Sequence, residues 1–287
     1  MKQRVLSALV ISAIGITVVI IGGIVLDIVL LLLATVGLFE FYSAFSKKGY
    51  SPFKIFGLVY VAIFALMLFL NGNSYMEIFV NTKKFGQINL FTPIFLLSTM
   101  VLLSMLVFSF EKHNVIDAAV TIFGGFYVVM LISYIDKLRY ISKDGGLYLL
   151  LFAIGGAVMT DTFALFVGKA FGKKKLIPSV SPKKTVAGSV GGFLGSVIII
   201  TVAGAILYFM GVYKELAIYH YPVLGAIAGV TAQIGDLVAS AIKRFTGVKD
   251  FGKLIPGHGG ILDRIDSYIF TVPVVYYYLL IFGIGGV

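Results

Sequence analysis

The stretch Gly188-Ser-Val-Gly-Gly-Phe-Leu-Gly-Ser-Val-Ile-Ile-Ile-Thr-Val-Ala-Gly-Ala-Ile-Leu-Tyr-Phe-Met210 contains no charged side chain. Wound as a helix rising ~1.5 Å per residue, it is long enough to cross a hydrocarbon core of roughly 30 Å. Its glycines and serines fall at small-xxx-small spacing, which lets transmembrane helices approach backbone to backbone. Runs of the same character recur along the chain, near Val5 to Leu26, Ile28 to Phe45, Phe53 to Leu70, Leu90 to Phe110, Val115 to Ile135, Gly146 to Gly168, Pro222 to Ala241 and Ser267 to Ile284. The expected fold is therefore an all-α, polytopic integral membrane protein of about nine transmembrane helices. The first run follows Met1-Lys2-Gln3-Arg4 in the manner of a signal peptide, but it is too long for a typical one and lacks a small-residue cleavage site, so it reads as a retained span.

Composition agrees. With 59% hydrophobic and 13% charged residues, the chain falls well short of the charged fraction of a soluble domain, about a quarter. Cysteine is absent, which excludes disulfides, thiolate zinc sites and a cysteine nucleophile, and leaves oxygen or histidine as the ligands of any metal. The formal net charge of +10 has a topological reading, because 17 of the 23 Lys and Arg lie at the N-terminus or in the loops after spans two, four, six and eight. The positive-inside rule then puts the N-terminus and the loops 169–185 and 242–266 in the cytoplasm and the C-terminus outside, in the cytoplasmic (inner) membrane of the cell. No nucleic-acid partner is needed to account for the charge. One integrated membrane domain is expected, with about five N-terminal spans over 1–135 and a catalytic region of about four over 136–287.

Carboxylates inside spans are costly and usually functional. Asp161 in span six and Asp236 in span eight qualify, both near the cytoplasmic end; Glu40, beside the charged end of span two, reads as a snorkelling or pairing residue. The loop after span six carries Lys169, Lys173, Lys174 and Lys175, then Ser181-Pro182-Lys183-Lys184-Thr185. Such a run marks the cytoplasmic side or meets anionic headgroups, and a proline-stiffened turn bearing two ammonium groups and two hydroxyls also suits phosphoryl oxygens. The loop after span eight holds Lys243-Arg244, Lys249-Asp250, His258-Gly259-Gly260 and Asp263-Arg264-Ile265-Asp266. If Asp263 opens a helix, Asp266 faces the same way, and the two can share a divalent cation with Asp236. The basic residues would then neutralise phosphates bridged by that metal. This array fits metal-assisted phosphoryl or nucleotidyl transfer.

The spacing Ser240-x-Ile242-Lys243-Arg244-x4-Lys249-Asp250-x-Gly252-x2-Ile255-Pro256-x-His258-Gly259-Gly260-Ile261-x-Asp263-Arg264-Ile265-Asp266 resembles the motif of phosphatidate cytidylyltransferases, also called CDP-diacylglycerol synthases. Asp161-Thr162-x-Ala164-x3-Gly168 with Gly172, and Ser181 to Thr185 with Gly188, match two weaker blocks of that family. The chain departs from the family at Phe163, Leu165, Val186 and Ala187, to which no family role is carried over. The resemblance implies transfer of CMP from CTP to phosphatidate, giving CDP-diacylglycerol and pyrophosphate, with Mg2+ and room for a second cation. It implies Asp236, Asp263, Asp266 and Asp161 as metal ligands. Asp236, Lys243, Arg244, His258, Asp263, Arg264 and Asp266 are implied as catalytic, and Ser181, Lys183, Lys184, Thr185, Lys169, Ser240 and Lys249 as phosphate-binding. CTP, phosphatidate and membrane lipids are the expected partners, and the glycine-rich spans are compatible with a homodimer. The rival reading is a transporter or ion-conducting protein using Asp161 and Asp236. It predicts acids spread through the depth of the membrane, whereas these lie near one face.

Overall fold

A computed structural model describes residues 13–72, 91–142, 145–255 and 259–282. The described chain is almost wholly helical: α1 (Gly23–Lys47), α2 (Lys54–Gly72), α3 (Phe91–Phe108), α4 (Val115–Arg139), α5 (Gly146–Phe171), α6 (Val186–Phe209), α7 (His220–Thr246), a single turn α8 (Leu262–Ile265) and α9 (Tyr268–Ile281). Five of these, α1, α4, α5, α6 and α7, are long and apolar enough to cross a membrane, and α2, α3 and α9 include shorter apolar helices. Within the described residues the apolar runs read from the sequence thus become helices with ends within a few residues of those expected, while residues 5–12 of the first run lie outside the described residues. One boundary moves. The first run breaks at Gly22, whose φ of 65° departs from the right-handed helix, so residues 13–21 form one helical segment and Gly23 to Leu26 belong to α1. Asp27, expected between two spans, consequently lies inside α1.

The described residues fall into two compact units, one drawn from 1–133 and 250–262, the other from 134–249 and 263–287. In the first, α1 packs on α2 and on α4, and α3 lies against α2 and α4. Helix α4 starts with a reciprocal cap: the Asn114 side chain accepts from the Asp117 amide, and the Asp117 carboxylate accepts from that of Asn114, both at 3.0 Å. Asp117 also accepts from the Ser51 amide at 2.7 Å, which ties down the α1–α2 connection. Farther along, α4 carries a π-helical segment at Gly125–Met130. Glu40 does not snorkel. It is buried on α1, and its two oxygens accept from the backbone amides of Ile261 (3.1 Å) and Leu262 (2.9 Å).

In the second unit α5, α6 and α7 pack mutually, and α9 lies against α5 and α7. The small-residue face of α6 meets α5 as the spacing suggested, with Gly188 against the backbone of Ala164 and Gly168. The basic loop after α5 departs from the expected turn. It is a two-stranded antiparallel hairpin, β1 (Lys175–Ile177) and β2 (Ser181–Thr185), in which Lys175 faces Thr185 and Ile177 faces Ser181. The hairpin rests on α6 and α7.

Candidate active site

Four structural devices in the second unit assemble the site. First, a helix repeats its face every three to four residues, so Gln233, Asp236, Ser240 and Lys243 form one stripe along the last turns of α7. The helix stops directly after it. Gly247 adopts φ 73°, and the amide of Val248 closes onto the Lys243 carbonyl at 3.0 Å, leaving Lys243 and Arg244 in the final turn. Second, strand β2 sends successive side chains to opposite sides: Lys184 pairs with Asp236 while Lys183 stays exposed. Third, Thr185 ends the strand and caps α6 by accepting from the Gly188 amide at 3.1 Å. Fourth, the turn α8 carries Asp263, whose carboxylate meets the Lys243 ammonium at 2.7 Å.

A close approach at Gly235 completes the arrangement. A β-carbon there would lie 2.5 Å from the Asp266 carbonyl oxygen and 3.1 Å from the Phe270 β-carbon, so only glycine lets the start of α9 sit this near α7. Asp161, Asp236 and Asp266 lie close enough to repel one another, with Lys184, Lys243 and Arg264 as the nearby opposing charges. Ser267 links the acids: its hydroxyl donates to Asp161 at 3.4 Å and its amide to Asp266 at 2.8 Å. Asp266 lies before α9 and is buried. Burial first, then the Asp236 carboxylate, pushes its carboxyl up to about 7 despite the pull of Lys243.

Of the residues expected from the sequence, the four aspartates come together with Lys184, Lys243 and Arg264, with different partners from those expected. Asp263 and Asp266 do not act as an isolated pair: Asp263 is engaged by Lys243, and Asp266 faces Asp161 and Asp236. Ser240 is half-buried on the α7 stripe, and Ser181 is half-buried where β2 begins. Arg244 is exposed and donates to the Val180 carbonyl at 3.2 Å, fastening the hairpin to the end of α7. Lys169, in the last turn of α5, and Lys249 and Arg264 are exposed. His258 lies outside the described residues. Three contributors were not singled out from the sequence: Ser267, Gly235 and Gln233, whose amide group is hydrogen-bonded to Ser189 of α6. Their signals were an amide one turn before Asp236 and a hydroxyl directly after Asp266.

Residues 2–282 match the Cytidylyltransferase family. The chain belongs to that family. It is 33% identical over 283 residues to the phosphatidate cytidylyltransferase of Bacillus subtilis (strain 168), covering 99% of both chains. It is 32% identical over 275 residues to that of Staphylococcus haemolyticus, covering 96% of this chain and 97% of the relative. To the phosphatidate cytidylyltransferase of Synechocystis it is 31% identical over 304 residues, with 97% and 96% covered. For a cytidylyltransferase family member the site is chemically apt, because it sets acids and ammonium groups side by side where phosphates must be gathered. Its acidic donors are all oxygen, the set that suits a hard divalent cation. Among the described residues no three His, Cys, Asp or Glu side chains are already grouped to ligate a metal ion, and Asp236 and Asp263 each hold a lysine.

Proposed function

We propose that this protein is a phosphatidate cytidylyltransferase that makes CDP-diacylglycerol and pyrophosphate from CTP and phosphatidate. The observation that carries the reading is its likeness, over nearly the whole length of each chain, to enzymes of that name. In the reaction a phosphate oxygen of phosphatidate forms a bond to the α-phosphorus of CTP, and the bond from that phosphorus to the bridging oxygen of pyrophosphate breaks. The attacking oxygen is already an anion, so no general base is required; the barrier is bringing anions together and stabilising charge on the leaving group. Lys183, Lys184, Lys243, Arg244 and Arg264, together with Lys169 and Lys249, supply the positive charge. Ser181, Thr185, Ser240 and His258 orient phosphates by hydrogen bonding. Asp236, Asp263, Asp266 and Asp161 would hold Mg2+. When bound, that cation neutralises phosphate charge.

The reading includes nine spans, with the N-terminus and the loops 169–185 and 242–266 at the cytoplasmic face of the inner membrane, where CTP arrives from water and phosphatidate from the bilayer. The test is direct: purified protein in detergent is given CTP, phosphatidate and Mg2+, and CDP-diacylglycerol and pyrophosphate are measured. Equimolar products are expected. Ion or solute flux through proteoliposomes without CDP-diacylglycerol formation would overturn the reading. Because the chain has no cysteine, one introduced at Lys173 is a unique label, expected to react only from the cytoplasmic side.

A further inference from the structure

Glu40 is an acid on an apolar helix, far in sequence from the motif, and the reaction does not call on it. It is buried at 9% exposure, and its neighbours on the helix and opposite it are apolar: Phe41, 0% exposed, stacks with Phe251 at 6.5 Å, and Leu262 is also 0% exposed. A carboxylate taken out of water is costly unless hydrogen bonds replace its hydration. Here the replacement comes from the motif segment itself, through the amides of Ile261 and Leu262 on separate oxygens. The segment is also shaped to fit this group. A β-carbon at Gly252 would fall 2.0 Å from Glu40 Oε1, and one at Gly260 would fall 2.4 Å from Oε2. Glycines from the two ends of the loop therefore converge on one carboxylate. Between them the Ile255 amide donates to the Gly259 carbonyl at 2.9 Å, with Gly259 at φ 86°.

We propose that Glu40 is a positioning residue for the motif: its carboxylate is the post on which Gly252, Gly260 and the amides of Ile261 and Leu262 converge, directly before Asp263 in the chain. The glycines at 252 and 260 are the clearance this carboxylate requires. Glu40 acts through the backbone and touches no substrate. The link to catalysis rests on the cytidylyltransferase reading above; the packing of the loop does not.

The experiment compares wild type with Glu40→Ala, Glu40→Gln, Gly260→Ala and the Glu40→Ala/Gly260→Ala double variant, all in detergent. Backbone hydrogen exchange of peptides spanning 250–262 is read beside kcat and KM for CTP. Glu40→Ala is expected to speed exchange at Ile261 and Leu262 and to lower kcat roughly tenfold to a hundredfold with KM for CTP little changed, as for a displaced catalytic group. Glu40→Gln, which keeps the volume and one carbonyl oxygen, should fall between and serves if the alanine variant does not fold. Gly260→Ala should be damaging alone but add little in the double variant, because the carboxylate it would strike is gone. Unchanged exchange at Ile261 and Leu262 in both Glu40 variants, or losses that simply multiply in the double variant, would overturn the proposal. A wild-type protein that makes no CDP-diacylglycerol yet shows these exchange effects would sink the assigned reaction and leave the positioning role supported.

Discussion

Replacing Lys243 with methionine separates the two ion pairs of the site by their burial. The Lys243 and Asp263 side chains are only 13% and 3% exposed and meet at 2.7 Å. Removing one partner of so enclosed a pair strands charge where water cannot reach, at a cost of about 3–5 kcal/mol. Asp263 has contacts beyond Lys243, which places Lys243→Met at the lower end, about 3 kcal/mol. For a chain of this size each kcal/mol moves the midpoint by roughly 2–4 °C, so a fall of about 6–12 °C is expected. Lys184→Met is the control: its pair with Asp236 has side chains 26% and 28% exposed, and such a screened pair contributes about 1 kcal/mol or less. The chain has no tryptophan, so unfolding is followed by size-exclusion recovery of heated, detergent-solubilised protein at fixed detergent and protein concentration. Adding Asp263→Asn to Lys243→Met removes the stranded charge and should restore part of the loss. Equal falls for Lys243→Met and Lys184→Met, or a double variant less stable than Lys243→Met alone, would refute the reasoning.

Gly235→Ala should force α9 away from α7, since its β-carbon would meet backbone at 2.5 Å; a destabilisation of about 1–3 kcal/mol is expected. Turnover should fall with it, whereas Gly155→Ala, with nothing within 4 Å of its β-carbon, should leave both intact. Because Asp266 is pushed up to about 7, it holds a proton below that pH, and a cation must displace it. Mg2+ binding measured by calorimetry should weaken about tenfold from pH 8 to pH 6 and release protons, while an affinity flat across that range would remove Asp266 from the ligand set. Thr185→Val removes the hydroxyl cap of α6 at nearly constant volume and should cost about 1 kcal/mol. It should also raise KM for CTP as the hairpin loosens, and unchanged stability and KM would show that the cap does not matter.

Much of this protein is legible in its sequence because the bilayer constrains the chain so strongly. A helix in hydrocarbon must satisfy its own backbone and present mostly apolar side chains, so long apolar runs translate directly into helices. Charged residues stand out against that background, which is why Asp161, Asp236 and the basic loops could be picked out, and why the spacing from Ser240 to Asp266 suggested the reaction. Local polarity could not say which acid meets which base. Pairing of Lys184 with Asp236 depends on the hairpin that β1 and β2 form, and pairing of Lys243 with Asp263 on where α7 stops at Gly247. The nearness of Asp266 to Asp236 depends on the contact at Gly235, a residue indistinguishable in the sequence from any other small residue of a span.

Glu40 marks the limit most clearly. By sequence it is an acid near the end of an apolar run, where water is within reach, and snorkelling is the ordinary outcome. More than two hundred residues later come the glycines and amides that enclose it, and only the folded chain brings them to it. Hydrophobicity, acting residue by residue, settled the helices from the sequence alone. Which buried charges are neighbours was settled by tertiary packing, because electrostatic partners in a low-dielectric interior are chosen by distance through space.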